Sequence, residues 1–292
     1  MSNAYKKIIE GAVSGEERAF YGLSDTSFVR CRIEGAEDGE SAFKECRNIA
    51  LRDCVMALRY PLWHVEGVCV DRSSFEATCR APMWYCDGLT LSGVTVSGVK
   101  AVRECSRVAV EDSKITSVEF GWKVRGFTAS NTDIEGEYMF LDSSDISLDR
   151  VNIKGKYTFQ YVKNAVIRNS ILDTKDAFWH AENVTVYDSV VKGEYLGWYS
   201  KNLRLVRCVI SGTQPLCYAE GLTLEDCTTE GCDLSFEKSA LDATVIGDIM
   251  SVKNPKSGRI TASSVGEIIS EEGRERKTVL TVSEPEHKET VI

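Results

Sequence analysis

Apolar residues in this chain recur at fixed offsets from a marker that returns every 19 residues. The marker falls at Asn48, Gly67, Gly88, Arg107, Gly126, Asp145, Asn164, Asn183, Asn202, Gly221 and Ala240, and only the step from Gly67 to Gly88 is longer, at 21. One residue after it stand Ile49, Val68, Leu89, Val108, Phe127, Ile146, Val184 and Leu203; three after it, Leu51, Val70, Leu91, Val110, Leu148, Ile167, Val186 and Leu205. A spacing of two puts both columns on one face of a strand. A third column, eight after the marker, includes Met56, Phe75, Val96, Ile115, Ile134 and Val191, and a fourth, five before it, includes Phe43, Leu62, Met83, Phe140 and Phe178.

Each copy therefore predicts three short strand-like pieces and leaves no room for a helix. Between the first two sits a turn carrying Asp53, Asp112, Asn131, Asn169, Asp188 or Asp226, side chains that tolerate left-handed backbone. Glycine follows the second piece, as at Gly98, Gly136, Gly155, Gly193 and Gly212. A short fixed period with like residues stacked on like is the mark of a solenoid. The expectation is an all-β protein, a right-handed parallel β-helix of about eleven to twelve coils. Leucine-rich repeats need a longer period, and a left-handed helix would show a six-residue period inside the coil.

The same register predicts one structural domain with four parts: an irregular coil and cap over 1–47, regular coils over 48–250, terminal strands over 251–270, and a charged tail over 271–292 expected to be mobile. It also places most of the eleven cysteines. Cys54, Cys208 and Cys227 share a column with Ser73, Ser113, Ser170 and Ser189, and Cys46, Cys86 and Cys105 another column of small residues. Small inward positions suit a buried thiol acting as a compact hydrophobe.

Composition narrows the function classes. A net charge of −9 argues against nucleic acid, whose phosphates require a positive surface. No apolar run approaches a membrane span or a signal peptide, so the reading is cytoplasmic with no membrane partner. With three histidines and no CxxC pair, neither a metal nor a cofactor is expected.

All five tryptophans share one column, four before the marker: Trp63, Trp84, Trp122, Trp179 and Trp198, interspersed with Lys44, Arg103 and Gln160. Beside it run His64, Tyr85, Tyr161, His180, Tyr199 and Tyr218, and nearby Tyr60, Tyr138, Tyr157, Asp176 and Tyr195. The residue before each tryptophan belongs to an inward column, so the tryptophan is expected to point outward. An outward strip of this size marks an interaction surface. Candidate ligand-binding residues are Trp63, Trp84, Arg103, Trp122, Tyr138, Tyr157, Tyr161, Trp179, Tyr195, Trp198 and Tyr199.

Three readings of the strip stay open: a surface for sugar rings, a protein or self-association interface, and a stacking ladder that stabilises neighbouring coils. Chemistry on this face would fall to Glu104, Lys123, Asp142 or His180 as acid, base or cation, making the chain a polysaccharide lyase or glycoside hydrolase. Against that, Glu104, Lys123 and Asp142 also read as a surface charge ladder.

The coil pattern resembles the pectin lyase-like superfamily of right-handed β-helices. More narrowly, "KECRNIALRDC", "KDAFWHAENVTVYDS", "GEYLGWYSKNL" and "SVKNPKSGRI" resemble the bacterial domain-of-unknown-function family numbered 3737, from about residue 14 to 270. That resemblance implies the fold and brings no catalytic residue, cofactor or partner. Some members bear the label of a hydrogenase component, but no iron–sulfur cysteine spacing is present here. Asn131-Thr132-Asp133 spells the "NTD" of polygalacturonases, yet the register puts it on a turn away from the aromatic column. The other motifs of those hydrolases and the long cleft-forming loops of pectate lyases are missing. The sequence thus favours a binding or interaction scaffold over an enzyme, with a purely structural or self-associating solenoid as a further alternative.

Overall fold

The 19-residue period is realised as strands that pair in parallel with their counterparts one coil away. In the computed structural model, which describes residues 5–35, 39–271, 277–282 and 288–292, Ile49 pairs with Val68, Val68 with Leu89, and Leu89 with Val108. Farther on, Ala165 pairs with Val184, and Val184 with Leu203. Second strands stack likewise, Met56 on Phe75 and Val191 on Ile210. No helix occurs among the described residues. The fold is the right-handed parallel β-helix expected.

The count of coils is larger than expected, about 14 turns over the described residues rather than eleven to twelve. Both ends continue the helix although their sequences lose the marker. Lys7–Glu10 pairs with Ser24–Val29, which pairs in turn with Arg47–Arg52. Ala240–Val245, Ser257–Ala262 and Thr278–Val282 carry the ladder on. The tail read as mobile thus includes two strands: Thr278–Val282, and Lys288–Val291 laid antiparallel on it. Thr278, Leu280 and Ile292 are buried, and that burial holds the segment down.

The chain comprises two compact units, Met1–Ser147 and Leu148–Ile292. In each, the inward columns are sealed: Phe43, Ile49, Leu51 and Met56 in the first, Leu172, Phe178, Val184 and Val186 in the second. Serine and cysteine line the corner after the first strand. The Ser113 hydroxyl accepts from the Val94 N–H at 3.0 Å and donates to the Glu111 carbonyl at 2.7 Å, and Ser170 treats Val151 and Arg168 in the same way. A buried hydroxyl so engaged avoids the cost of an unsatisfied polar atom. Cys54, Cys208 and Cys227 take the same place with their Sγ near the equivalent carbonyls. All eleven cysteines are free and all but Cys69 are buried. Burial pushes the Cys46 and Cys54 thiols up to about 11, and Cys79 and Cys217 to about 12, so none of these four is a nucleophile at neutral pH.

The third side of the coil differs most from a simple strand. Among the described residues strand pairing is sparse there: Leu62–Trp63 with Met83–Trp84 in the first unit and, reaching this side through Val252 beside Ser235, Asp248–Lys253 with Ser264–Ile269 in the second. Elsewhere alternate residues adopt the left-handed conformation: Glu119, Gly121 and Lys123 in the first unit, Asp176, Phe178 and His180 in the second, with φ between 54° and 68°. For a non-glycine residue that conformation costs roughly 1–2 kcal/mol. It is offset by hydrogen bonds to the adjoining coils, such as Asp176 N–H to the Glu194 carbonyl at 2.9 Å and His180 N–H to the Trp198 carbonyl at 3.0 Å, and by burial of Phe120 and Phe178.

Candidate functional site

The aromatic columns sit on this third side, and the left-handed alternation determines what they present. Phenylalanine points into the core, the next residue lies half-buried on the rim, and the one after that is exposed. Tryptophan takes the rim, tyrosine or histidine the outer position. One coil separates like residues, so flat rings stack.

In the first unit the rim column is a pile of indole rings and cations. Lys44 Nζ lies 4.6 Å over the Trp63 ring, Trp63 stacks on Trp84 with centroids 5.7 Å apart, and the Arg103 guanidinium sits 5.7 Å from Trp84 and 5.0 Å from Trp122. Arg103 thus fills a gap between two indoles, a cation–π sandwich. Its charge is also answered by Glu119 and Glu104, each at 3.4 Å, and Glu119 is shared with Lys100 at 3.1 Å. The Trp122 indole N–H donates to the Tyr138 carbonyl, whereas those of Trp63 and Trp84 are buried without a partner among the described residues. In the outer column His64 lies 4.9 Å from Tyr85, and Tyr138 is exposed.

In the second unit the stacks are neutral rings. Trp179 and Trp198 are parallel within 4° at 5.5 Å, and their indoles donate to the carbonyls of Tyr195 at 2.7 Å and Gln214 at 2.9 Å. Outside them Tyr161, His180, Tyr199 and Tyr218 form a four-ring pile with centroid spacings of 4.8, 5.0 and 5.0 Å, and Lys238 Nζ stands 5.7 Å over Tyr218. Tyr161 is 50% and Tyr199 43% exposed. Because neighbours cover the faces of the inner rings, what reaches solvent is a row of edges and polar tips.

The candidate acid–base residues have separate partners. Glu104 pairs with Arg103, and Asp142 lies 3.9 Å from Arg125. Lys123 is exposed and makes no ion pair among the described residues. The Glu104, Lys123 and Asp142 charge ladder therefore does not form. His180 is held between Tyr161 and Tyr199. No cluster of three or more potential metal ligands occurs among the described residues. His287 lies outside the described residues.

Sequence reasoning passed over the burial of Asp176. It stands in the column of Tyr157 and Tyr195, one coil from each, yet is only 4% exposed. Desolvation raises its carboxyl above the ordinary range, with Lys175 pulling it down and Glu194 pushing it up. A carboxylate interrupting a run of tyrosines was the available signal.

Such a β-solenoid, with its third side faced by aromatic ladders, defines a structural class and no reaction. The chain belongs to the family described as "Protein of unknown function (DUF3737)", whose model matches residues 7–283. No curated protein matches it. Among solved structures it is similar to the mannuronan C-5 epimerase AlgE6 A-module of Azotobacter vinelandii, at 9% identity over 91% of this chain and 89% of that one, with a TM-score of 0.34. It is also similar to a double mutant of the periplasmic alginate epimerase AlgG, at 10% identity over 84% and 77%, TM-score 0.27. A third is QnrB1, a plasmid-mediated fluoroquinolone resistance protein, at 14% identity over 80% and 91%, TM-score 0.18. At such scores these likenesses carry no functional argument.

Proposed function

We propose that this protein is a recognition scaffold for another polypeptide, with the Tyr161, His180, Tyr199 and Tyr218 edge of the second unit as its contact strip. The observation that carries this reading is the four-ring pile itself. Tyrosine offers amphipathic contact area at low conformational cost, and stacking removes the rotamer freedom that binding would otherwise have to suppress. Sugar recognition on aromatic platforms uses ring faces, and the faces of the inner rings are covered here. A hydrolase or lyase requires a paired acid and base, and Glu104, Lys123 and Asp142 are dispersed among other partners.

The test is a photo-crosslinking amino acid placed at Tyr199 in the producing cell. A discrete polypeptide adduct, lost when Tyr161 and Tyr218 are both changed to Ser, is expected. Sedimentation equilibrium of the purified chain then says whether the partner is a second copy. No adduct, together with a saturable change of tryptophan fluorescence on titration with a soluble glycan, would replace this reading by a carbohydrate one.

A further inference from the structure

Beside the ring pile of the second unit runs a column of alternating charge. Two residues beyond each ring stand Lys163, Glu182, Lys201 and Glu220, and the residue between ring and charge is buried in every coil. Backbone pairing sets their order: Lys163 lies against Glu182, Glu182 against Lys201, and Lys201 against Glu220. Lys163, Lys201 and Glu220 are exposed, and Glu182 is half-buried. Lys163 meets Glu182 at 3.3 Å, whereas Lys201 and Glu220 make no ion pair among the described residues.

This column is complementary to its own reverse. Against a second copy laid face to face and running the opposite way, Lys163 comes opposite Glu220 and Glu182 opposite Lys201. Each contact then occurs twice about a two-fold axis, as an isologous interface requires. A slip of one coil would set Lys163 opposite Lys201 and Glu182 opposite Glu182, so charge also fixes the register. Both copies step by the inter-strand spacing, roughly 4.8 Å, and the match persists over all four coils. The rings keep the same step, with centroids 4.8, 5.0 and 5.0 Å apart. Reversal puts Tyr161 opposite Tyr218 and His180 opposite Tyr199. It also carries Lys238, which stands over Tyr218, to the outer side of Tyr161, a ring with one stacked neighbour where His180 has two.

Two further observations favour a second copy. A chain of net charge −9 repels its like, and association is easiest where the surface is locally neutral; two lysines and two glutamates sum to zero. The corresponding column of the first unit runs Arg47, Glu66, Asp87, Ser106 and Arg125. Its reversal would set Arg47 against Arg125 and Asp87 against itself. Exposed charge pairs add little affinity; their effect is to select partner and register.

We infer that the partner at the ring pile is a second copy of this chain, docked antiparallel with the Lys163, Glu182, Lys201 and Glu220 columns facing each other. This rests on the contact-strip reading above and names its occupant.

The test is sedimentation equilibrium of the full chain with two charge reversals. The unaltered chain should show a monomer–dimer equilibrium. Lys201→Glu and Glu182→Lys each place like charges opposite one another twice, and each alone should weaken dimerisation roughly tenfold or more. An equimolar mixture of the two variants should restore it, because Lys at 182 in one copy then faces Glu at 201 in the other. Restoration also shows that both variants are folded. An unaltered chain that stays monomeric at every concentration, a Lys201→Glu variant that dimerises as before, or a mixture no tighter than its components overturns the proposal. A Tyr199 adduct to a different polypeptide, with the purified chain monomeric, removes the second copy and leaves the strip; no adduct and no dimer removes both.

Discussion

The two units build the same ladder from different materials. In the first, a stacked Trp63–Trp84 pair is flanked by the cations Lys44 and Arg103, and Glu104 and Glu119 answer the charge of Arg103. In the second, Trp179 lies directly on Trp198, with an outer pile of tyrosine and histidine rings. A cation between rings ties its neighbours together by charge as well as contact, whereas a neutral pile leaves its edges available. The first ladder completes its Arg103 sandwich with acidic residues of its own chain. The second carries a continuous outer pile of four rings with exposed tips, and it is there that recognition is proposed. Identical backbone geometry therefore does not imply identical use, since one coil's choice of residue decides whether the stack is completed internally.

Substitutions separate the two ladders, beginning with the largest effect. Trp198→Ala removes a stacked partner, an indole hydrogen bond to Gln214 and edge contacts with Tyr195 and Tyr218, and should lower stability by about 3 kcal/mol in chemical denaturation. Arg103→Ala opens the sandwich in the first unit and leaves Glu104 and Glu119 without that partner, at about 2 kcal/mol. Arg103→Lys should recover less than half of that loss, since a compact ammonium cannot span two ring faces as the planar guanidinium does. Full recovery by lysine would reduce the sandwich to simple charge pairing.

Asp176→Asn should act in the opposite direction. Because desolvation raises the folded carboxyl above its unfolded value, the protonated form suits the fold. The associated stability is fully present below the unfolded carboxylate range and is lost as pH rises through the folded value. Asparagine removes that loss, giving a gain of about 1 kcal/mol at neutral pH that vanishes in acid. A gain equal at both pH values would contradict the account. The smallest effect compares two residues of like backbone, Lys123 with φ 55° and His180 with φ 54°. Lys123→Gly relieves left-handed strain at an exposed position without an ion pair and should stabilise by about 0.5 kcal/mol after the entropy of glycine is counted. His180→Gly relieves the same strain but breaks two stacks and should destabilise. If both variants stabilise, the outer pile contributes nothing to the fold.

Much of this architecture was legible before any coordinates, because each coil repeats the solution of the last. The inward columns through Ile49, Leu51 and Phe178, the serine and cysteine corner, and the gathering of all five tryptophans on one side follow from register alone, whereas the outward direction expected of them gave way to a half-buried rim. The third side did not. Alternate left-handed residues such as Phe178 and His180 have no compositional signature, since the hydrogen bonds and packing that sustain them come from adjacent coils. The ends were misjudged for a related reason. Lys7–Glu10 and Thr278–Val282 join the ladder through backbone pairing, which asks little of the side chains. As for the site, the columns brought the right residues onto one side, but not which groups would pair. The capture of Glu104 by Arg103 in place of Lys123, and the withdrawal of Asp176 from solvent, depend on side-chain reach within a coil.

The longer step from Gly67 to Gly88 has a bearing on how such chains change in length. Met56 pairs with Phe75 and Leu62 with Met83, so the extra residues of the longer coil all fall between Phe75 and Met83. This excursion leaves the helix at the corner after the second strand, and the ladders on either side continue. That corner is the natural graft point of the scaffold: a loop, an epitope tag or a whole inserted module placed there would be carried on the outside of the coil, without shifting the register that aligns the aromatic columns.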